Sequence, residues 1–139
     1  MTARLHELVA DGDTAVLLAG DGLGVAVLRF RKAIWSAGLE CYLAELYVVP
    51  DRRGQGIGTV LLRHCLDHAR ARGAEGMELT TTEDDVAARH LYERMGFNRT
   101  EGRAGGPLSF FYERDLTRDA GLRPAPAPAP GPVRAEGRP

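Results

Sequence analysis

From Leu46 to Leu62 the chain reads LYVVPDRRGQGIGTVLL, and that stretch allows few structures. An apolar, β-branched run ends at Pro50. A basic turn follows (Asp51, Arg52, Arg53), then Gly54, Gly56 and Gly58 at alternate positions, then the apolar start of a helix. A strand, a glycine turn and a helix N-terminus in that order suit an anion. The first turn of a helix has unpaired N–H groups at the positive end of its dipole. Glycines let backbone approach phosphate oxygens closely, and Arg53 supplies a cation able to fork onto phosphate. A P-loop needs a Lys-Ser/Thr pair after its last glycine, whereas Ile57, Gly58 and Thr59 stand here. A dinucleotide fingerprint needs a third glycine spacing that Gly58-Thr59-Val60 lacks. The remaining alternative is a glycine turn without a ligand.

Arg53 to Gly58 fits R-x-x-G-x-G, preceded by Leu46-Tyr47-Val48-Val49-Pro50. This resembles motif A of the GNAT N-acetyltransferases, whose loop holds the pyrophosphate of acetyl-CoA. Ala88 through Phe97, AARHLYERMGF from Ala87, is similar to that family's A-x-x-L-Y-E-K-x-G-F segment. Together the motifs extend the resemblance over about residues 5 to 116. It implies an N-acetyltransferase that moves an acetyl group from acetyl-CoA to an amine of a small molecule or peptide, directly, in a ternary complex. It also implies a fold of α/β (α+β) class, with a mixed, mostly antiparallel sheet and flanking helices. The strand and helix with which such proteins usually begin are expected to be missing, since this sequence starts too late to hold them. Either the fold is abbreviated or a neighbouring subunit covers the exposed sheet edge, so a homodimer is one expectation.

The resemblance further implies roles for particular residues. Backbone groups of Leu46, Tyr47 and Val48 would pair with the pantetheine arm like an added strand, with the Val48 N–H near the thioester carbonyl. Gly54, Gln55, Gly56, Ile57, Gly58 and Thr59 would hold the pyrophosphate, beside Arg53. Tyr92 matches the tyrosine that protonates the CoA sulfur, since a phenol is protonated at neutral pH; the other reading of Tyr92 is core packing. Where the family usually has a CoA-touching asparagine, this chain has Asp85, whose charge phosphates would repel, so Asp85 reads either as a cofactor contact or as a helix cap. The base is chosen between Glu45 and then Glu40, with water relaying the proton. These two point to opposite faces of their strand unless a bulge intervenes. Ala44 stands where polyamine acetyltransferases carry their catalytic residue, and Thr80 where some ribosomal-protein acetyltransferases carry glutamate.

The rest of the chain supports one domain, residues 1–118, with a disordered Pro/Ala-rich tail over 119–139. In a chain of 139 residues, one core is expected. Six of the eight prolines lie between Pro124 and Pro139, where PAPAPAPGP cannot pack. The net charge of −1 argues against a nucleic-acid or anionic-membrane partner. One of the 18 basic residues is a lysine, Lys32, a bias that fits a GC-rich bacterial genome. No apolar run approaches the roughly 18–20 residues of a membrane helix, and no signal peptide fits, so a cytoplasmic protein is expected. Cys41 and Cys65 read as small buried hydrophobes. His64 and His68, four apart on a helix, lack a third ligand and read as an exposed face, as does His90; no metal is expected.

In chain order, the spacing of Leu5, Leu8 and Val9 predicts a helix over 4–11 closed by Gly12. Strands are expected at Ala15–Ala19, Gly24–Arg31 and Leu39–Val49. A loop over Ala33–Gly38 carries Trp35, read as a packing residue or a pocket wall. A helix from Gly58, with Leu61, Leu62, Cys65, Leu66 and Ala69 on one face, stops at Gly73. Then come a strand at Met77–Thr82, a helix at Val86–Met95 ahead of Gly96, and strands near Asn98–Gly102 and at Leu108–Leu116. A non-catalytic module that binds or senses acyl-CoA is the alternative function.

Overall fold

Gly24 to Lys32 alternates small or apolar residues with half-exposed ones, and that period of two makes it the core strand of the sheet. In the computed structural model, which describes residues 9–117, Gly24, Ala26, Leu28 and Phe30 are buried on one face of this strand. It is β2 (Gly24–Lys32), and it pairs antiparallel with β1 (Thr14–Ala19) and with β3 (Leu39–Val48). β4 (Ala74–Glu78) pairs parallel to β3, so the open sheet runs β1-β2-β3-β4. Between β3 and β4 lies the helix α1 (Ile57–Ala71). A parallel pair needs such a crossover. Leu61, Leu62, Cys65 and Ala69 recur at helical spacing and are buried against β2, Cys41 and Leu43.

A second helix, α2 (Val86–Arg94), starts on Asp85, whose Oδ1 accepts from the Ala88 N–H at 3.1 Å. It ends with Gly96 at φ +91°, the Gly96 N–H donating to Glu93 O and the Phe97 N–H to Tyr92 O. That is the Schellman closure expected of a C-terminal glycine. Leu91, Tyr92, Met95 and Phe97 pack on the core.

Several expectations need correction. Compared with Met77–Thr82, β4 starts three residues earlier and ends four residues earlier, because the Leu39 N–H bonds Gly73 O and starts the ladder at Ala74. Its sequence, AEGME, has poor strand propensity; pairing with β3 overrides the threonine run that follows. No strand forms at Asn98–Gly102 or Leu108–Leu116 among the described residues. Only a bridge joins Thr100 to Leu108, with the Glu101 N–H on Pro107 O and the Ser109 N–H on Arg99 O. So short a pairing, outside the main sheet, does not extend. The chain divides into two compact units, Met1–Ser109 and Phe110–Pro139; the described part of the second, Phe110–Thr117, is exposed. The helix expected over 4–11 lies largely outside the described residues, apart from helical Val9 and Ala10 ahead of Gly12. The tail over 119–139 lies wholly outside them. Trp35 is 93 % exposed in the β2–β3 loop, so it does not pack there. Among the described residues no helix is long and apolar enough to cross a membrane.

Cys41 and Cys65 are buried free thiols, and burial pushes both up to about 11 from the ordinary 9. Their folded values exceed the unfolded ones, so the stability they contribute is complete below pH 9 and is lost as pH rises through 9 to 11. Native protein at neutral pH should therefore leave both thiols unreacted towards an aromatic disulfide reagent, while denatured protein should react at both. Fast native labelling would contradict this packing.

Candidate active site

After β3 the chain leaves through Val49 into one 3-10 turn at Pro50–Arg52, then reaches Gly54 and Gly56 with φ +78° and +83°. Such left-handed backbone is open to glycine at little cost. Gly56 is the N-cap of α1. Among the described residues no side chain caps this helix, and no acidic residue stands in its first turn. The first helical bond runs from the Val60 N–H to Gly56 O, so the amides of Ile57, Gly58 and Thr59 precede the ladder. A Cβ on Gly54 or Gly56 would meet nothing within 4 Å, so both border open space. A Cβ on Gly58 would lie 3.5 Å from Leu91 Cδ2 and 3.8 Å from Val48 Cγ2, so this residue sits where β3, α1 and α2 converge. The contrast with α2 is direct, because Asp85 caps that helix's N-terminus and no described residue caps that of α1.

Arg53 folds back on β3. Its Nε donates to Val48 O at 2.9 Å and its guanidinium lies 5.3 Å from the centre of the Tyr47 ring. The two terminal nitrogens make no hydrogen bond among the described residues, which leaves their donors for an anion. A cleft of about 380 Å³ borders Gln55, Gly56 and Ile57 on the side towards β1, with His64 at its wall. It lies away from the β3–β4 side of the sheet, where the candidate reacting groups stand.

That side is opened by the sheet itself. β3 is paired to β2 along its whole length, but to β4 only as far as Tyr42 opposite Glu78. From Leu43 to Val48 the edge of β3 facing β4 has no strand partner among the described residues. A bulge falls in the same segment: Leu28 pairs with Leu43 and Val27 with Glu45, leaving Ala44 as the extra residue. Before it Cys41 and Leu43 point into the core; after it Leu46 and Val48 turn inward. The bulge therefore puts Glu45 on the same face as Glu40 and Tyr42, the outcome that an unbulged strand would forbid.

The two glutamates are not equivalent. Glu40 is tied to Arg31 through a short ion pair. Glu45 is exposed and, among the described residues, makes no ion pair. The Tyr92 phenol is half-buried and makes no hydrogen bond among the described residues, while its ring meets Phe97 edge-on at 5.8 Å. Burial raises its pKa above the usual 10, and the carboxylates of Asp85 and Glu45 raise it further. The structure thus brings Tyr92, Glu45 and Asp85 into one electrostatic neighbourhood and leaves Glu40 in its own pair. Asp85 takes the capping role, one of its two readings.

Tyr42 stands at the same opening. Its hydroxyl lies 3.3 Å from Thr80 Oγ1, just beyond the last β3–β4 pair. No motif marks it, because the contact depends on where β4 ends. His68 is the other correction: it is half-buried, its ring 6.2 Å from that of Phe30, because α1 turns this position towards β2. His64 and His90 are exposed. No group of three metal-binding side chains occurs among the described residues.

The model of the acetyltransferase (GNAT) family matches residues 4–97. Streptothricin acetyltransferase of Streptomyces lavendulae is 40 % identical over 88 residues, 63 % of this chain and 46 % of that protein. N-alpha-acetyltransferase 30 of Schizosaccharomyces pombe is 46 % identical over 84 residues, 60 % of this chain and 56 % of that one. The chain thus spans about half the length of these curated relatives. A crystal structure from Arthrobacter sp. FB24, of a protein assigned as an acetyltransferase, superposes with a TM-score of 0.71 at 40 % identity, covering 81 % of this chain and 72 % of that one.

Proposed function

Because the chain belongs to the acetyltransferase (GNAT) family, we propose that it moves an acetyl group from acetyl-CoA to the amine of a small molecule or peptide, by direct transfer in a ternary complex. The observation that carries this reading is the N-terminus of α1 behind Gly54 and Gly56, uncapped among the described residues, beside an edge of β3 that no described strand pairs. The open space at both glycines fits a pyrophosphate approaching the amides of Ile57, Gly58 and Thr59. Gln55 lies in the same loop, and Arg53 reaches the anion through its terminal nitrogens. The backbone of Leu46, Tyr47 and Val48 receives the pantetheine arm in the manner of a strand added to an edge.

Acetyl-CoA supplies an activated acyl group on sulfur. The protein's own residues hold it and move two protons. The Val48 N–H donates to the thioester oxygen. Glu45 accepts a proton from the incoming ammonium, directly or through water, and Glu40 is the second choice because Arg31 occupies it. Tyr92 gives its proton to the departing sulfur and regains one, directly or through water, from the nitrogen as the amide forms, so the ammonium loses two protons, one passing through Glu45 to solvent and one ending on the thiol. Glu45 close to Tyr92 suits a base and an acid on either side of one reacting carbon. The names of relatives that acetylate streptothricin or an N-alpha position support nitrogen acceptors. Such a protein would work in the cytoplasm, alone or as a homodimer, without a metal.

The test is thiol release from acetyl-CoA in the presence of a panel of amines: spermidine, an aminoglycoside, a peptide with a free N-terminus and an α-blocked lysine. At least one amine should raise release well above the rate with acetyl-CoA alone. Tight binding of acetyl-CoA with no amine-dependent release would favour the non-catalytic module instead.

A further inference from the structure

We propose that Tyr42 and Thr80 position the acceptor amine, as a pair of neutral hydroxyls at the point where β3 and β4 part. The inference rests on the acetyltransfer reading and adds to it the residues that receive the second substrate. Its basis is a juxtaposition that the topology produces. The ladder ends at Tyr42 opposite Glu78, and the chain leaving β4 passes Thr80 within 3.3 Å of the Tyr42 hydroxyl. That is the one side-chain hydrogen bond among the described residues that joins β3 to this segment.

Three features make the pair more than a strand fastening. The contact is long for a hydroxyl–hydroxyl bond, which is shortest and strongest near 2.7–2.8 Å, so it holds the strands weakly. Each hydroxyl can donate once and accept twice, and the bond between them uses one donor and one acceptor. The pair therefore keeps a free hydrogen and free lone pairs, and both residues are exposed. Finally, the bulge at Ala44 puts Glu45 on the face of Tyr42, so an ammonium held by the hydroxyl oxygens would stand on the same face as the candidate base. Lone pairs of neutral oxygens accept from an ammonium without competing for its proton.

A positioning role has a kinetic signature. With the amine of the panel that gives the largest kcat/KM as probe, Tyr42→Phe and Thr80→Val should each raise the acceptor KM by roughly five- to tenfold, the scale of one hydrogen bond. The KM for acetyl-CoA and kcat should stay within about twofold. The pH midpoints of kcat should not move, since neither hydroxyl carries the transferred proton. Thr80→Ser keeps the hydroxyl and should restore the acceptor KM. The double variant should be no worse than the poorer single one, because the two act as a unit. An acceptor KM unchanged in Tyr42→Phe and Thr80→Val would overturn the proposal. So would a fall in melting temperature with both KM values rising together, which is what a strand fastening predicts. If Tyr42→Phe fails to fold, the exposed Thr80 variants decide the question alone. No amine-dependent release by the wild type would overturn the acetyltransfer reading, and this inference with it.

Discussion

Tyr92→Phe should slow turnover by roughly 100-fold or somewhat more, the usual scale for losing a general acid. Its effect on stability should be small. The ring keeps its edge contact with Phe97, and the lost hydroxyl strands no partner, since it makes no hydrogen bond among the described residues. Acetyl-CoA affinity should be unaltered. The pH dependence carries a sign. Burial first, then the carboxylates of Asp85 and Glu45, raise the phenol's pKa, so Tyr92 stays protonated and competent beyond the ordinary tyrosine range near 10. The alkaline fall in rate should therefore lie above that range and be absent from the phenylalanine variant. In Asp85→Asn one of the anions is gone, and the fall should move to lower pH. Folding linkage runs the same way: the raised value contributes stability below the unfolded pKa and loses it as pH rises through the folded one. A wild-type rate for Tyr92→Phe in a single turnover with both substrates saturating would remove the acid role and leave the residue as packing.

Gly56→Glu should abolish acetyl-CoA binding. At a hundredfold excess over its dissociation constant a ligand adds about 2.7 kcal/mol to the native state, a rise in melting temperature on the order of 10 °C for a domain of this size. Wild type should show that rise and the glutamate variant none. A glutamate there sets negative charge against the phosphates, at the amides it would otherwise leave free. It also strains the left-handed backbone at φ +83°, so the unliganded variant should melt earlier. Gly56→Ala separates the two effects. It carries a similar strain, about 1–2 kcal/mol, without charge, and its Cβ enters open space. It should melt low but keep a measurable part of the ligand-induced rise. Equal protection of the glutamate variant and the wild type would mean that the phosphates bind elsewhere.

How much of this could be read from the residues depended on whether the signal was local. Ala26, Leu28 and Phe30 at period two, and Leu61, Cys65 and Ala69 at helical period, declare their elements because burial imposes the same pattern. Gly56, Gly73 and Gly96 mark their turns because positive φ all but requires glycine. The bulge at Ala44 has no such mark: alanine next to glutamate looks like any strand, and only the pairing with Val27 and Leu28 reveals the extra residue. That bulge decides which carboxylates share a face, so the choice between Glu45 and Glu40 was not legible locally. β4 shows the opposite failure. The threonines at 80–82 advertise strand, yet the ladder is fixed by Gly73 and Leu39, and Thr80 is left beyond it as a partner for Tyr42. Phe110, Phe111 and Tyr112 have strand composition but no described strand to pair with, and composition alone does not make a sheet.

The most direct measurement follows the acetyl group itself. Acetyl-CoA labelled in the acetyl carbonyl is incubated with the responsive amine and with wild type, Gly56→Glu and Tyr92→Phe, and both thiol and labelled products are counted. Direct transfer puts label on the amine in amounts equal to thiol released, near background with Gly56→Glu and strongly slowed with Tyr92→Phe. Label appearing as free acetate, or acetyl-CoA bound by wild type with no labelled amine across the panel, would contradict it.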